Sequence, residues 1–400
     1  MKSMLKEETI QKKSSLILSA ILIVLLVGSV YISQLIFQEI SKSYHIDILE
    51  ARNVFSLSCF FYAISFFIYG PLSDNVSTKL LVLIGSIGTI CCLILSVIVD
   101  CFDLYLVVMS LVGFFAAAVP AALFAYTAKN TPNHKLPQAM GIMISASIVG
   151  IIFSRSVIAM LTDFWSWQIA FIIYAGLIIV VCLFVPFGIK QTTNQSPTTS
   201  LIGMYFSALK LFLDKTVVIF LVIGFLLFFV YLGISSLLTF YLKGAPFYLS
   251  STVLGWLNFA GLSAVVGSMI TGKLTQVINE KYLFIICLLA VCMSIVTIGF
   301  SSSLYVIGLG IFCLFLFVFG IQPLVIAMLN KIVPISSRGA ISSLYLLACL
   351  AGGSIGTYLL GIVYQNKAWN GAIILCVFLS IVNLILALIA IRLIKNSIKN

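Results

Sequence analysis

Charged side chains are scarce in this sequence. Asp, Glu, Lys and Arg together make up 8% of the 400 residues, whereas hydrophobic residues make up 62% and the mean hydropathy is +1.23. A soluble domain carries roughly a quarter charged residues. The scarcity excludes an ordinary water-soluble globular chain and indicates a protein that lies in a lipid bilayer.

Polar interruptions are also rare, so the apolar residues form long runs. A helix that spans a bilayer needs about 20 consecutive apolar residues, and twelve such runs can be placed. They cover residues 15–38, 52–72, 80–99, 104–128, 138–162, 167–188, 217–241, 251–272, 282–300, 303–330, 338–363 and 369–393. None of them alternates with the two-residue period of a membrane β-barrel. The predicted fold class is therefore all-α, a polytopic membrane protein with twelve transmembrane helices.

Residues that bind metals or carry out covalent chemistry are few or isolated. The two histidines, His45 and His134, lie alone in predicted loops, and the ten cysteines lie mostly inside apolar runs, where small buried hydrophobic residues are expected. The sequence has no HExxH, GxSxG or glycine-rich phosphate loop. We therefore expect no enzyme activity, no metal site and no cofactor.

The net charge of +11 bears on topology. Basic residues are scattered singly between the apolar runs, so they do not form the kind of patch that binds nucleic acid. If the amino terminus is inside, most of the 22 basic residues fall in cytoplasmic segments, as the positive-inside rule requires. We expect both termini to be cytoplasmic. The Ile- and Lys-rich composition without a targeting segment indicates a bacterial cytoplasmic membrane, in which we expect a monomer.

One long polar stretch divides the chain. Residues 190–200, with the sequence KQTTNQSPTTS, fall between the sixth and seventh runs and are typical of a linker. Residues 201–215 have the spacing of an amphipathic helix with basic residues near its end, so we expect them to lie on the inner membrane surface. The predicted domains are a six-helix bundle at 1–189, a cytoplasmic linker with this interfacial helix at 190–215, and a second six-helix bundle at 216–400.

The two predicted bundles share an internal repeat. GPLSD at residues 70–74 matches GKLTQ at residues 272–276, an offset of 202 positions. The same offset relates Leu72 to Leu274, Lys79 to Lys281, Lys129 to Lys331, Pro132 to Pro334 and Gly150 to Gly352. Parallel repeats of six helices, related by an axis along the membrane normal, are typical of one large class of transporters. We therefore expect two pseudo-symmetric six-helix bundles.

At Gly70, Leu72, Asp74 and Lys79 the chain resembles the major facilitator superfamily, whose signature between helices two and three has Gly, Leu, Asp and a basic residue at this spacing. The sequence LTDFWSWQIAF at 161–171 is similar to the junction between helices five and six in the twelve-helix drug/proton antiporters and sugar-efflux-type permeases of that family. The resemblance covers essentially the whole chain in topology. It implies a secondary transporter that works by alternating access.

The chain departs from this family at several positions. Asn75, Ser77 and Thr78 replace a basic residue, a glycine and a second basic residue of the signature, and Met109 stands where the family has an arginine on helix four. No carboxylate lies at mid-membrane depth. Proton coupling is therefore implied by the resemblance, with Glu39 as the coupling candidate.

The resemblance implies a conformational latch formed by Gly70, Leu72, Asp74 and Lys79. In the family this contact is thought to hold the two halves together on the cytoplasmic side. Helix eleven is predicted to begin near residues 336–339, and an anion beside a helix amino terminus is stabilised by roughly 0.3–1 kcal/mol. The repeat places neutral Gln276 opposite Asp74, so one latch is charged and the other is not. The alternative, that Asp74 and Lys79 belong to a solvated loop, stays open.

Arg155 is unusual because it lies inside an apolar run, about 12 Å from Asp163 at the outer helix end at 1.5 Å per residue. An arginine near the centre of a membrane costs about 2.5–3.5 kcal/mol, so it should face the bundle interior and have a partner. Two hypotheses follow. Arg155 and Glu39 form a static pair at the outer rim, or Arg155 binds an anionic group of the substrate while Glu39 titrates.

Further polar side chains fall at helical spacing, which predicts that they face inward. Together with Arg155 they form the predicted substrate cavity, namely Tyr31, Gln34, Gln38, Tyr62, Arg155, Tyr231, Asn258, Gln322, Tyr345 and Tyr358. Aromatic lining with few charges suits small organic molecules. Hydrogen bonding between helices is the alternative role for each residue taken singly.

The function that follows is proton-coupled export of small organic molecules or drugs. Its partners are a small organic substrate, protons and the lipid bilayer. The alternatives are an exporter or importer of one endogenous metabolite, for example an anion bound by Arg155, and a membrane sensor that does not transport.

Overall fold

The computed structural model describes residues 2–51, 53–189, 209–244, 247–248 and 259–397. Within those ranges the chain is helical and contains no β-strand. The helices are α1 (Lys2–Ser29), α2 (Phe37–Tyr44), α3 (Ile48–Ala51), α4 (Asn53–Asn75), α5 (Thr78–Ile98), α6 (Phe102–Asn130), α7 (Leu136–Phe164), α8 (Trp167–Cys182), α9 (Val185–Gly188), α10 (Lys215–Lys243), α11 (Ser263–Leu274), α12 (Glu280–Phe300), α13 (Leu304–Ile332) and α14 (Arg338–Ser397).

The predicted all-α fold is confirmed. In the described ranges, nine helical segments are long and apolar enough to cross a membrane. The last of them contains both of the final predicted runs. Ala368 separates the two runs within α14. Two shorter apolar segments, Ser14–Ser29 and Ala260–Leu274, lie in the first and eighth predicted runs. Residues 251–258 of the eighth run and residues 190–208 of the predicted linker lie outside the described ranges.

Polar side chains mark where several of these helices begin. The hydroxyls of Ser77 and Ser166 each accept the backbone N–H three residues later, which caps α5 and α8. Asp214 Oδ1 accepts the N–H of Thr216 at 2.7 Å just before α10. Such side chains satisfy amide groups that a helix amino terminus leaves unpaired. The sequence therefore sets these starts locally.

The first predicted run, 15–38, was wrong as one continuous helix. Helix α1 ends at Ser29, the backbone of residues 30–36 turns with hydrogen bonds between residues three apart, and α2 begins at Phe37. Tertiary contacts account for the interruption, because the far end of α2 is held by other helices. Tyr44 donates its hydroxyl to the carbonyl of Val99 at 2.8 Å, and Trp167 Nε1 donates to Ser43 Oγ at 2.9 Å.

The chain divides into two compact units. Unit 1 comprises Met1–Asn130, Ala146–Phe206 and Ile335–Ser343, and unit 2 comprises Thr131–Ser145, Ser207–Pro334 and Leu344–Asn400. In unit 1, α4 and α5 pack on α6. In unit 2, α11 and α12 pack on α13. Each unit thus buries its fourth span beneath its second and third, as the internal repeat predicts.

The interruption of α14 is strained, and this leads to a prediction. Ala368 has φ 54° and ψ −166°, a region that glycine alone occupies readily. We expect Ala368→Gly to stabilise the folded protein by about 1 kcal/mol, since strain there costs about 1–3 kcal/mol and the added chain entropy offsets part of the gain. Thermal unfolding of the purified protein measures it.

The matched control is Ala372→Gly, which removes the same methyl group from a buried helical position four residues later. It should destabilise the protein by about 1 kcal/mol or more, because glycine is a poor helix former. Equal destabilisation by both changes would contradict the strain at Ala368.

Candidate functional site

An aspartate carboxylate caps a helix within unit 1. Oδ1 of Asp74 accepts the N–H of Gly339 at 2.9 Å, and Oδ2 accepts the N–H of Ala340 at 2.8 Å. Asp74 is buried, and α14 begins at Arg338, so both donors belong to the first turn of that helix. The carboxylate therefore meets unpaired amide groups at the positive end of the helix dipole.

One basic residue contacts this carboxylate, and a second contacts the nearby end of α6. Lys129 Nζ lies 3.0 Å from Asp74 Oδ1 and also donates to the backbone carbonyl of Asp74 at 3.1 Å, near the end of α4. Arg338 Nη1 donates to the carbonyl of Ala128 at 2.6 Å, near the end of α6. Cations favour helix carboxyl ends as anions favour amino ends. We call Asp74, Lys129, Arg338 and Gly339 the Asp74 cluster.

The predicted latch residues are placed at two locations. A Cβ at Gly70 would lie 2.7 Å from the Cβ of Ser343, so this glycine lets α4 approach the start of α14 closely. Leu72 is half-buried in α4. Lys79 donates to the carbonyl of Pro186 in α9 at 2.8 Å. The glycine and the aspartate thus meet the start of α14, whereas the lysine meets a different helix.

Unit 2 holds a neutral contact at the equivalent position. Gln276, the repeat equivalent of Asp74, donates from Nε2 to Oε1 of Gln138 at 2.6 Å. Pro137 stands where the other repeat has Gly339, and proline has no N–H for a carboxylate to accept. The chain therefore has a carboxylate, Asp74, where two backbone N–H donors are present, and a neutral amide, Gln276, where one of the two donors is missing.

Close helix crossings recur at the same offset. In unit 1, a Cβ at Gly150 would overlap the carbonyl oxygen of Val24, and in unit 2 a Cβ at Gly352 would overlap the carbonyl oxygen of Phe225. Gly150 and Gly352 are 202 positions apart. The repeat therefore includes equivalent helix contacts inside each unit as well as identical residues.

Arg155 donates to two neutral acceptors. Its Nε donates to the carbonyl of Ile151 at 3.1 Å, and its Nη1 donates to Oε1 of Gln34 at 3.1 Å. Both Arg155 and Gln34 are partly exposed. The structure thus brings together two residues of the predicted cavity, one from α7 and one from the interruption between α1 and α2.

Glu39, the coupling candidate, lies in the first turn of α2 and is partly exposed. The ion pairs between described residues, Lys129 with Asp74 and Lys331 with Glu280, do not include it. Its predicted role in coupling stays a prediction.

The hydroxyl at the other end of α2 does not titrate near neutral pH. Burial, with smaller contributions from Asp100 and Cys101, raises the pKa of Tyr44 to about 12. The phenol therefore stays protonated and keeps its hydrogen bond to the Val99 carbonyl over the physiological range. The position of α2 is thus insensitive to pH at this anchor.

The other predicted cavity residues of unit 1 differ in exposure. Tyr31 is half-buried against the ring of Phe55, with centroids 5.4 Å apart, and Tyr62 is buried against Phe66 at 5.0 Å. Gln38 is exposed on α2. Tyr31 and Gln34 share the interrupted stretch between α1 and α2.

In unit 2, the predicted cavity residues are mostly buried. Tyr231 packs among phenylalanine rings, 5.0 Å from that of Phe315. Gln322 and Tyr345 are also buried, and both lie near the Cys349 thiol. Tyr358, by contrast, is 70% exposed. Asn258 lies outside the described residues.

Several residues of these sites were not found by sequence reasoning. Lys129 could have been found, because it belongs to the repeat and follows the fourth span, where a cation faces the loop that carries Asp74. Arg338 and Cys349 carry no such signal. Among the described residues, no group of His, Cys, Asp and Glu could hold a metal ion.

Comparisons with known proteins fit this architecture. The family model of the Major Facilitator Superfamily matches residues 17–357 and, in a second match, 244–399. A relative in Bacillus subtilis, the uncharacterized MFS-type transporter YybF, is 21% identical over 356 residues, which are 88% of this chain and 87% of that protein.

Solved structures of low sequence identity share the fold. The fucose:proton symporter FucP of Escherichia coli has a TM-score of 0.77 and 14% identity. The human organic anion transporter MFSD10 has a TM-score of 0.76 and also 14% identity. Each of the two superpositions covers 94% of this chain and 98% of the solved structure's chain.

Proposed function

Because this chain belongs to the Major Facilitator Superfamily and is therefore a membrane transporter, we propose that it exports a small organic molecule in exchange for protons by alternating access. The family and the relatives are transporters and not enzymes. The fold is the two-bundle, twelve-helix architecture of the family. Substrate, direction and coupling ion are part of the proposal.

The Asp74 cluster is the observation that supports alternation most directly. Its carboxylate holds the first turn of α14 through two charge-assisted hydrogen bonds, which are roughly twice as strong as neutral ones. The equivalent contact of Gln276 with Gln138 is neutral. We propose that the Asp74 cluster opens and closes during transport and that the weaker amide contact follows it.

Glu39 is the proposed coupling residue. It is a partly exposed carboxyl group in the first turn of α2. It follows Gln34, which contacts Arg155, by five residues. We propose that this carboxyl group carries the coupled proton. Export is supported by the resemblance of residues 161–171 to the drug/proton antiporters.

The proposed location is a bacterial cytoplasmic membrane with both termini inside. The distribution of basic residues between the spans supports this orientation. A substrate would then leave the cell while protons enter down their gradient. Fusion of a reporter to either terminus tests the orientation, and an external reporter signal would contradict it.

The proposed coupling can be tested in inverted membrane vesicles from cells that overproduce the protein. A panel of drugs and organic acids is added after the vesicles have been acidified, and proton release is followed with a pH-sensitive dye. We expect at least one compound to release protons. We further expect Glu39→Gln to reduce that release at least tenfold, because an amide cannot bind and release a proton.

Glu50→Gln is the matched control, since Glu50 is an exposed carboxyl group on α3. It should leave proton release within twofold of the unaltered protein. Equal loss in both variants, or proton release that survives Glu39→Gln, would contradict the role of Glu39. Release by no compound, together with no counterflow in reconstituted vesicles, would support the sensor alternative instead.

A further inference from the structure

The stretch between α1 and α2 and its repeat counterpart have similar sequences. YISQLI at residues 31–36 matches GISSLL at residues 233–238, at the repeat offset of 202 positions, with Ile, Ser and Leu identical. In unit 2 this stretch lies inside α10, which is continuous from Lys215 to Lys243. In unit 1 it is the interruption that follows α1. Two closely similar segments therefore have two different backbone conformations.

Intrinsic helix preference does not explain the difference between the two segments. The continuous segment contains Gly233, and glycine is a poor helix former. The interrupted segment contains neither glycine nor proline. By their own sequence, residues 31–36 therefore form a helix no less readily than residues 233–238. The interruption must then be imposed by contacts with other helices.

The interruption leaves backbone groups unpaired that a helix would pair. Within the described part of the chain, the N–H groups of Ile32, Ser33 and Leu35 make no backbone hydrogen bond. The carbonyl of Ser29, at the end of α1, accepts none from the residues that follow it. In an α-helix the N–H of Ser33 would donate to this carbonyl, four residues earlier. Closure into a helix would therefore pair groups that the interruption keeps apart.

The hydroxyl of Ser33 supports the same conclusion for a side chain. In α10, Ser235 Oγ donates to the carbonyl of Tyr231, four residues earlier, at 2.7 Å. Ser33 is the repeat equivalent of Ser235, and its hydroxyl is fully buried without a hydrogen-bond partner among the described residues. A buried hydroxyl without a partner is unfavourable. In a closed helix, the carbonyl of Ser29 would accept from Ser33 as that of Tyr231 accepts from Ser235.

We propose that residues 30–36 are a switch, which closes into a continuous helix with α1 during transport and reopens when α2 regains its contacts. In the interrupted form, α2 is held through Tyr44 at the Val99 carbonyl and through Ser43 at Trp167 Nε1. In the closed form, the unpaired groups of the interruption form helical hydrogen bonds instead. Short turns of this kind within a helix often mark a hinge. The inference rests on the proposed alternating access and is independent of substrate and coupling ion.

Amide hydrogen exchange of residues 30–36, read by mass spectrometry on the purified protein in lipid nanodiscs, tests the switch without a ligand. The double change Ser43→Ala and Tyr44→Phe removes both hydrogen bonds at the far end of α2 and keeps the aromatic ring. We expect exchange in this segment to slow at least fivefold, because the released α2 lets the helix close and protect its amides. The control Tyr305→Phe removes the same hydroxyl from a 92% exposed side chain and should change nothing. Unchanged or faster exchange in the double variant would overturn the inference.

A proline distinguishes helix closure from other causes of slow exchange. Leu35→Pro removes no backbone hydrogen bond from the interrupted form, whereas it prevents the closed form. Added to the double variant, it should restore the exchange rate of the unaltered protein. Alone, it should unfold within about 2 °C of the unaltered protein, while Leu237→Pro, the equivalent change in continuous α10, should lower the unfolding temperature by about 5 °C or more. Slow exchange that persists with Leu35→Pro would overturn the inference.

This inference and the proposed function can fail separately. We expect Leu35→Pro to slow vesicle transport at least tenfold in a protein that still folds, because the switch is locked in its interrupted form. Transport at an unaltered rate by this variant would overturn the inference and leave the export function standing. Closure of the segment in the double variant, in a protein that moves no compound of the panel, would uphold the switch and contradict export.

Discussion

Asp74→Asn is expected to slow transport at least tenfold and to expose the first turn of α14. The carboxylate accepts two backbone N–H groups and contacts Lys129, so the change removes two charge-assisted bonds and an ion pair at a buried position. Hydrogen bonds to charged groups contribute about 1.5–3 kcal/mol each, and an anion at a helix amino terminus contributes up to about 2 kcal/mol. A loss of about 2 kcal/mol shifts a two-state equilibrium roughly thirtyfold.

Exposure of the start of α14 can be measured at Ser343, which is buried against Gly70 in the structure. A cysteine placed at this position should react slowly with a maleimide in the otherwise unaltered protein and at least tenfold faster when Asp74→Asn is added, with labelling read at that site by mass spectrometry. The control is Asp163→Asn, the same change at an exposed position. If neither transport nor labelling changes with Asp74→Asn, the cluster is not a latch.

Gly150→Ala is expected to destabilise the protein by about 2–3 kcal/mol and to abolish most transport. The added methyl group would overlap the carbonyl oxygen of Val24, and a backbone atom cannot move aside as a side chain can. Overpacking of this kind costs about 1–3 kcal/mol, occasionally more. The repeat makes a second prediction at once, because Gly352→Ala meets the carbonyl oxygen of Phe225 in unit 2 and should have a similar effect.

The chain provides matched controls for both glycines. A Cβ at Gly176 or at Gly361 would have no atom within 4 Å, so alanine should be accommodated there. These two changes are expected to be neutral or to stabilise by up to about 1 kcal/mol, since alanine is the better helix former. Thermal unfolding and transport in vesicles measure all four variants. Tolerance of alanine at Gly150 and Gly352 would contradict the close crossings.

Hydropathy was sufficient to predict most of the transmembrane helices, because a span in lipid requires about 20 apolar residues. It was insufficient at residues 30–36. That stretch contains neither proline nor glycine, and its interruption depends on contacts that α2 makes through Ser43 and Tyr44. Distant partners of this kind leave no periodic pattern in the run itself.

The geometry of Asp74 was accessible from the sequence for a local reason. Asp74 lies at one helix junction, and a helix start is predicted near residues 336–339 on the same side of the membrane. The family resemblance relates the two. The structure places the carboxylate on the amides of Gly339 and Ala340, while its role as a latch stays a prediction. The repeat also suggested a neutral counterpart, and the reason for its neutrality, the missing N–H of Pro137, became clear only from the contact of Gln276 with Gln138.

Arg155 shows the limit of reasoning from charge. Among the residues near a helix end, the only acid at comparable height was Glu39, so a pair of opposite charges was one natural hypothesis. The structure gives Arg155 a neutral partner in Gln34, which sequence reasoning had assigned to the same cavity without linking the two. Amide partners are hard to predict because glutamine is common at many exposed positions and carries no charge to pair.

Trans-stimulated exchange tests the central claim, alternating access by a carrier, most directly. The purified protein is reconstituted in vesicles loaded with the compound that releases protons fastest, and efflux of labelled compound is followed with and without unlabelled compound outside. The account predicts that external compound accelerates efflux severalfold, because a loaded carrier returns faster than an empty one. Efflux that is indifferent to external compound, or absent altogether, would contradict it.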